Sequence, residues 1–329
     1  MNAETGNSGM SAGDGPSRDR RPVRAFLQRF ASGIALIVMC GVLAMLSRSF
    51  LTLGNFTNIG MQQADIAILA IGQTVVIICG GIDLSIGSVM ALSGVVAALA
   101  MASGVNMWLS IAFGITTGLF CGFLNGLITS KGKIPPFITT LGMMGIARGA
   151  TMILTGGGAV SGLPTEFRFL GERIAGGIPT PVLVVVVVAV AVHVMLRYAR
   201  LGRYVYAIGG NKESARLSGI NVDWYTTLAF SLCGLLAGIA GVMLASRLVS
   251  GQPTAGEGYE LHAIAAAVIG GASLMGGEGT IAGTLVGAAI MAVLRNGCNL
   301  LDVDAFWQKI AIGAVIIAAV FYDQFRRRR

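Results

Sequence analysis

Long apolar segments of roughly twenty residues recur along almost the whole of this 329-residue chain. A helix of that length spans the hydrocarbon core of a bilayer, which is about 30 Å thick. Only 12% of the residues are charged, about half the share of a soluble domain. We therefore predict an all-α polytopic integral membrane protein. Ten spans are predicted, near residues 31–47, 60–79, 84–103, 107–128, 136–155, 180–197, 224–246, 260–274, 280–297 and 305–322.

Two parts of this pattern allow another arrangement. The third and fourth spans are joined by only a few residues, and so are the eighth and ninth. Segments 80–103 and 260–297 could therefore contain re-entrant hairpins instead of complete crossings.

The distribution of positive charge predicts the orientation, because Lys and Arg are concentrated in cytoplasmic loops. Residues 1–24 are rich in Gly, Ser, Asp and Arg, which predicts a disordered cytoplasmic segment before a transmembrane domain at 25–329. The loops after the fourth and sixth spans and the carboxyl tail carry most of the other positive charges. Ten spans place all of them, and both termini, in the cytoplasm. The same clustering beside apolar spans explains the net charge of +8 without a nucleic-acid partner.

One polar segment, residues 202–223 (GRYVYAIGGNKESARLSGINVD), interrupts the apolar pattern. Lipid would not tolerate its unpaired polar groups, so it must lie outside the bilayer or be buried in protein. Within it, Lys212–Leu217 is predicted to form a short amphipathic helix, capped by Asn211 and ended by Gly219. A charged helix between two spans is a candidate docking surface for a soluble partner. On the opposite side, the longest predicted external loop is 156–179, and a second is 247–259.

Glycines recur at every fourth position in the fourth span, which gives one helix face small enough for close packing. The same spacing occurs at Gly279, Gly283 and Gly287. Two glycine turns, GGIDLSIG and GGEGTIAG, also share their spacing, which indicates an internal duplication or chance similarity in a glycine-rich chain. The predicted helix-packing residues of the fourth span are Gly114, Gly118, Gly122 and Gly126.

Polar residues inside apolar spans are costly and often functional. Asp83, at a predicted helix start, is interpreted mainly as a structural cap. The uncharged polar residues either line a hydrophilic path or bond neighbouring helices, and both alternatives stay open. The candidates for a substrate path are Gln62, Gln63, Gln73 and Asn125.

The inventory of catalytic motifs is sparse. The sequence contains no GxxxxGK[ST], HExxH or GxSxG, and only two histidines. Its five cysteines form no CxxC pair, which argues against a zinc site or a disulfide framework. We expect no enzymatic activity, no catalytic residues, no metal site and no cofactor in this chain, so any energy for transport must come from a partner.

Several long stretches resemble a known family. They are GGIDLSIGSVMALSG, NGLITSKGKIPPFITTLGMMGIARG, GRYVYAIGGNKESARLSGIN and GGASLMGGEGTIAGTLVGAAIMAVLRNG. Together they are similar to the membrane permease subunit of ribose-type ABC sugar importers, which serve ribose, xylose, galactose and related sugars. The resemblance covers nearly the whole chain after about Arg24.

The resemblance implies a multi-pass protein of the cell inner membrane that imports a sugar and works as a pair, with a homodimer expected. It implies a cytoplasmic ABC ATPase, which holds ATP and Mg, and a periplasmic or lipid-anchored sugar-binding protein. Segment 202–223 corresponds to the family's coupling segment for the ATPase. Its EAA-x3-G pattern is matched by Glu213, Ala215 and Gly219, with Ser214 in place of the central alanine. The coupling residues expected from the helix and the resemblance are Asn211, Lys212, Glu213, Ser214, Ala215, Arg216 and Gly219.

The sequence allows two other classes of function. An ion-coupled secondary transporter of a small polar solute would need ionisable residues in the middle of its spans, and Asp65 and Arg148 are the clear candidates. A membrane scaffold or receptor without transport activity is the third possibility.

Overall fold

The computed structural model describes residues 21–173 and 177–327, so most of the predicted segment 1–24 lies outside the described residues. These residues form α-helices, one 3-10 helix and two isolated β-bridges. The predicted all-α class is confirmed. The helices are α1 (Arg21–Leu46), α2 (Leu53–Ile78), α3 (Ile86–Ala102), α4 (Met107–Lys131), α5 (Pro136–Thr155), the 3-10 helix (Thr165–Leu170), α6 (Thr180–Tyr198), α7 (Arg200–Gly210), α8 (Lys212–Leu217), α9 (Val222–Leu248), α10 (Tyr259–Ile269), α11 (Ile281–Leu300) and α12 (Ala305–Arg327).

Among the described residues, six helices are long and apolar enough to cross a membrane: α2, α4, α5, α6, α9 and α11. Shorter apolar segments at 32–46, 86–102, 259–269 and 306–318 occupy the other predicted positions. The prediction of a span at 260–274 is wrong at its carboxyl end. There α10 stops at Ile269, because Gly270 caps it and Gly271 adopts a φ of +92° that ordinary residues rarely adopt.

Helix α9 is the central element of the fold. It has 27 residues, about 40 Å of helix, and packs against α2, α3 and α4. Its closest contact is with α4, where glycines meet glycines. A methyl group added at Gly118 would collide with the Gly234 carbonyl oxygen, and one added at Gly122 with the Phe230 carbonyl oxygen. The structure therefore places the glycine face of α4 directly on the backbone of α9.

The second predicted glycine row follows the same principle only in part. On α11, a methyl group at Gly283 would meet Gly270, and one at Gly287 would meet Ala266. Gly279 does not belong to this row, because α11 begins at Ile281 and Gly279 lies before it with a φ of +155°. Two of the three glycines, Gly283 and Gly287, therefore form a packing face on α11, and Gly279 lies in the turn before this helix.

The two ends of α9 are built differently. At the Leu248 end, Ser246 Oγ donates to the Phe167 carbonyl oxygen in the 3-10 helix. Nearby, Val160 and Gly251 exchange two backbone hydrogen bonds of 2.9 Å. The predicted loops 156–179 and 247–259 thus meet at this end, which we call the loop end. The Val222 end meets α7, α8 and the loop between α4 and α5, and we call it the α8 end.

Candidate functional site

The predicted helix Lys212–Leu217 is confirmed as α8, together with its cap. The side-chain oxygen of Asn211 accepts a 2.8 Å hydrogen bond from the Ser214 amide. Gly219, with a φ of +82°, turns the chain toward α9. These local bonds fix a helix of fewer than two turns, which would be marginal on its own.

Helix α8 has an outward face and a buried anchor. Ala215 is only 4% exposed and packs into the core. Leu217 is 82% exposed, and the side chain of its neighbour across one turn, Glu213, is 71% exposed. A leucine so exposed in a segment of charged residues leaves apolar area in contact with water unless a partner covers it. The outward face of α8 is therefore defined by Glu213 and Leu217.

Arg216 makes two loose ion pairs, at 3.8 Å from Glu213 and 3.8 Å from Asp223. All three side chains are about half exposed or more. Pairs of this kind contribute about 0–1 kcal/mol, so they orient the side chains more than they stabilise the fold.

A cleft of about 650 Å³ opens at the α8 end, between α8, the end of α2, the α4–α5 loop and the start of α9. We call it the basic cleft. Lys133 of the α4–α5 loop and α8 thus lie on the same side of the molecule, as the charge distribution predicts. Among the residues that line the cleft are Thr129, Lys133, Gly209, Lys212, Arg216 and Asp223.

Helix α7, which connects α6 to α8, was not predicted from the sequence. Its Gly209 packs tightly against the turn at Gly276. A methyl group added at Gly276 would lie 3.0 Å from the Cα of Gly209. Tyr206 Oη, one turn earlier, donates a 2.6 Å hydrogen bond to the Gly279 carbonyl oxygen. These contacts join α7 rigidly to the segment between α10 and α11.

The two similar glycine turns contact each other at this point. The Gly277 amide donates a 2.9 Å hydrogen bond to the Ile78 carbonyl oxygen at the end of α2. A methyl group at Gly276 would lie 3.0 Å from the Cα of Gly80. Gly80 and Gly276 have nearly equal φ angles, +86° and +88°. Gly80, Gly209 and Gly276 form a three-way contact, which we call the glycine junction. The internal duplication itself stays a prediction.

Two of the four candidate path residues converge on the Asp83 turn. Asp83 is 1% exposed, and its carboxylate accepts hydrogen bonds from the Ser85 amide (2.8 Å) and the Ser85 hydroxyl (2.6 Å). The Asn125 amide nitrogen lies 2.9 Å from Ser85 Oγ and 3.4 Å from Asp83 Oδ2. With its amide oriented to satisfy both groups, Gln73 bonds the backbone N–H and C=O of Asp83 at 3.2 and 3.1 Å.

Gln62 and Gln63 lie elsewhere on α2, about 16 Å along the helix from Gln73. Gln62 is exposed, and Gln63 borders an apolar groove between α2, α6 and α11. The structure therefore divides the four candidates into two pairs. Gln73 and Asn125 are fully buried and bond the Asp83 turn, while Gln62 and Gln63 lie near the loop end.

The ionisable residues weighed for ion coupling have partners at the loop end. Asp65 is 1% exposed and pairs with Arg247, whose Nη2 is 2.7 Å from its Oδ2. Arg148 donates to the carbonyl oxygens of Pro253 and Ala255, which holds the loop after α9 against α5. Both residues thus join chain segments far apart in the sequence.

Sequence reasoning missed three features of the site. It did not identify α7, although Val205 and Ile208 have the i, i+3 spacing of a buried helix face. Leu217 was predicted only as part of an amphipathic helix. Its exposure could not be predicted, because it depends on the tertiary fold. Sequence reasoning also assigned Lys133 to topology alone, whereas the structure places it in the basic cleft.

Comparisons with known proteins identify the family of the chain. The family model described as branched-chain amino acid transport system / permease component matches residues 55–320. No solved structure matches the chain significantly.

Curated relatives match over nearly their full length. The ribose import permease protein RbsC of Escherichia coli K12 is 46% identical over 304 residues, covering 91% of this chain and 95% of the relative. The RbsC protein of Bacillus subtilis strain 168 is 44% identical over 300 residues (91% and 93%). The D-allose transport system permease protein AlsC of Escherichia coli K12 is 37% identical over 302 residues (91% and 92%). The chain therefore belongs to the family of branched-chain amino acid transport system permease components, and its resemblance to the ribose-type ABC importer permeases is confirmed.

Proposed function

We propose that this chain is the membrane permease subunit of an ABC importer that moves a ribose-type monosaccharide into the cytoplasm by alternating access. The observation that carries the proposal is the 46% identity to a ribose import permease over 91% of the chain. The family and the apolar helices together support a multi-pass protein of the inner membrane. The chain is not an enzyme in this scheme, since a separate ATPase holds ATP and Mg and no cofactor is needed here.

The finer topology forms part of the proposal. We propose ten crossings with both termini in the cytoplasm, six made by the long helices and four by chain segments that contain the shorter apolar stretches. The shared position of Lys133, Lys212 and Arg216 supports a cytoplasmic α8 end, because positive residues collect on that side. The loop end then faces outward, where a sugar-binding protein would deliver the substrate.

Docking of the ATPase is assigned to the outward face of α8. Glu213 supplies a charge and Leu217 an exposed apolar group, the combination that a groove on a soluble partner can bind. Ala215 anchors the helix from below, and Asn211 caps it. The coupling residues expected from the sequence, from Asn211 to Gly219, thus divide into those that contact the partner and those that hold α8 in shape.

A force applied to α8 has a defined route into the membrane domain. Helix α7 immediately precedes α8 in the chain and would move together with it. Gly209 of α7 is part of the glycine junction. From there, Gly80 leads to α2 and α3, and Gly276 leads to α10 and α11. Closure of the ATPase would therefore displace both glycine turns together, and with them the helices on each side. A second permease chain, in a homodimer, would complete the path between the two copies.

The contacts of Gln73 and Asn125 favour a structural role, because both are buried and bonded to the Asp83 turn. Gln62 and Gln63 are better placed for first contact with a neutral sugar, which needs hydrogen bonds rather than a buried charge. The ion pair of Asp65 with Arg247 likewise argues against ion-coupled transport, since Arg247 already neutralises the carboxylate that would have to bind the ion.

Uptake of labelled ribose tests the proposal. Proteoliposomes would contain the chain, its ATPase and its binding protein, with ATP inside. Import should persist after an ionophore collapses the proton gradient and stop when ATP is withdrawn. Import that follows the gradient and ignores ATP would establish a secondary transporter. Binding of the two partners without import of any sugar would favour a scaffold.

A further inference from the structure

We propose that the basic cleft binds a phosphate-type anion, at a site separate from the face of α8 that docks the ATPase. The cleft has a volume of about 650 Å³, within the range of sites for small molecules. Its charge, its hydrogen-bonding groups and its position behind α8 all favour such a ligand. The inference does not depend on which sugar the permease transports.

The charges in the cleft are unbalanced. Lys133, Lys212 and Arg216 line it, against the single carboxylate of Asp223. Asp223 lies 3.8 Å from Arg216, which also approaches Glu213. Among the described residues, no carboxylate lies within 4.0 Å of either lysine. Two ammonium groups at one cavity repel each other, and an anion between them relieves that repulsion.

A buried hydroxyl provides an independent indication of a ligand. Thr129 lines the cleft and is only 6% exposed, and its Oγ1 has no hydrogen-bond partner. Thr227 near the cleft, by contrast, donates to the Asp223 carbonyl oxygen at 2.8 Å. Thr139 Oγ1 also has no partner, but Thr139 does not line the cleft. A buried hydroxyl without a partner costs about 1–3 kcal/mol. A ligand oxygen that accepts a hydrogen bond from Thr129 would remove that cost, and the gain would add to the binding free energy.

The cleft and the docking face use different sides of the same helix. Lys212 and Arg216, four residues apart, line the cleft, whereas Glu213 and Leu217 do not. Residues four apart lie on one face of a helix, so the two pairs are turned by about 100° around the helix axis and adjoin where Arg216 approaches Glu213. An anion in the cleft would therefore hold α8 against the α4–α5 loop from behind, and it would leave the docking face free.

Phosphate suits these groups better than other ligands. A cation would be repelled, and a neutral sugar would leave both lysines uncompensated. Lysine binds phosphate as a compact point charge, and a hydroxyl can donate to a third oxygen. The same chemistry is supplied by a soluble phosphate compound or by the headgroup of an anionic lipid, because the cleft lies where cytoplasm and membrane meet.

The test uses the full chain in nanodiscs of phosphatidylcholine. Binding of inorganic phosphate is followed by the broadening of its ³¹P resonance, with chloride adjusted to hold ionic strength constant. We expect saturable broadening, with an affinity about tenfold weaker in Lys133→Gln and in Lys212→Gln. Lys131→Gln is the matched control: it removes an equal charge two residues from Lys133, at the end of α4, but Lys131 does not line the cleft. Thr129→Val should also weaken binding without changing the net charge.

A second arm distinguishes the two sources of phosphate. In nanodiscs with added phosphatidylglycerol, native mass spectrometry counts the lipids retained after mild delipidation. Retention lost in Lys133→Gln and Lys212→Gln, but kept in Lys131→Gln, would support a headgroup as the occupant. Absence of both effects, or an equal effect of Lys131→Gln, would overturn the proposal. So would a loss of ATPase binding in the cleft variants with neither anion affected, because the cleft would then belong to a protein partner.

Discussion

Asp65 on α2 and Arg247 near the end of α9 form an ion pair of 2.7 Å in which the carboxylate is 1% exposed. Arg247 also donates to the Met61 carbonyl oxygen, so one guanidinium joins two turns of α2 to α9. The pair connects residues 182 positions apart. It holds the loop end of the central helix in register with its neighbour.

Removing the arginine should destabilise the protein strongly. In Arg247→Gln the buried carboxylate loses its counter-charge, and we expect a loss of about 3–5 kcal/mol in the free energy of unfolding. The measurement is denaturant unfolding in detergent. The double variant Asp65→Asn/Arg247→Gln should recover much of the loss, since no charge is then left buried.

The chain provides a matched control for this prediction. Arg168 pairs with Glu172 at 2.8 Å, but both side chains are 54% exposed. Because water screens that pair, Arg168→Gln should cost no more than about 1 kcal/mol. Equal losses at the two sites would show that burial does not determine the strength of the Asp65–Arg247 pair.

The exposed leucine of α8 leads to a second prediction. Leu217→Asp should abolish co-purification of the ATPase and stop uptake, because a charge would replace the apolar contact at the centre of the docking face. Leu217→Met keeps an apolar side chain of similar size and should retain both. Since Leu217 is 82% exposed, neither variant should change the yield of membrane-inserted protein.

The same face contains Glu213, for which a charge reversal to Lys is expected to stop uptake while leaving the permease inserted. The readout is uptake together with the amount of ATPase bound to the purified permease. Normal uptake in both Glu213→Lys and Leu217→Asp, with the ATPase still bound, would remove α8 from the coupling mechanism.

Local features of this fold could be predicted from the sequence, while long-range pairings could not. Helix α8 was predicted because a cap, a charged turn and a terminating glycine are adjacent in the chain. The glycine row of α4 indicated a packing face, but the pattern did not predict that Gly234 of α9 packs against it. Similarly, polar residues in spans marked Asp65 as unusual, yet its pairing with Arg247 depends on how α2 and α9 pack.

The candidate path shows the same division. Gln73 and Asn125 were recognised as costly residues within apolar spans, but the sequence left their role open between a path and helix bonding. Their convergence on Asp83 arises from the packing of α2 and α4 around the turn before α3. The contact of Asn125 with Asp83 joins residues 42 positions apart, and periodicity along one helix does not predict such a pairing.

The glycine contacts between α4 and α9 allow a test that needs only one methyl group. Gly122→Ala would push a methyl group into the Phe230 carbonyl oxygen and Gly234, and we expect it to destabilise the protein by about 1–3 kcal/mol. Gly142→Ala on α5 is the matched control, because nothing lies within 4 Å of the added methyl group. There the higher helix propensity of alanine should leave stability unchanged or raise it slightly. Thermal unfolding of both variants in the same detergent gives the comparison, and an equal loss at the two positions would contradict close packing of α4 on α9.

The Asp83 network gives the last prediction. Asn125 lies 3.4 Å from the Asp83 carboxylate, so Asn125→Asp would place two acidic groups together in a buried site. Two carboxylates in such a site repel each other and lose the Asn125 donor, and we expect a cost of at least about 2 kcal/mol in unfolding free energy. The exchange variant Asp83→Asn/Asn125→Asp restores one amide and one carboxylate, and it should regain part of the lost stability. If both Asn125→Asp and the exchange variant are as stable as the original chain, the contact between Asn125 and Asp83 does not stabilise the turn. The glycine junction would then be the main contact that holds it.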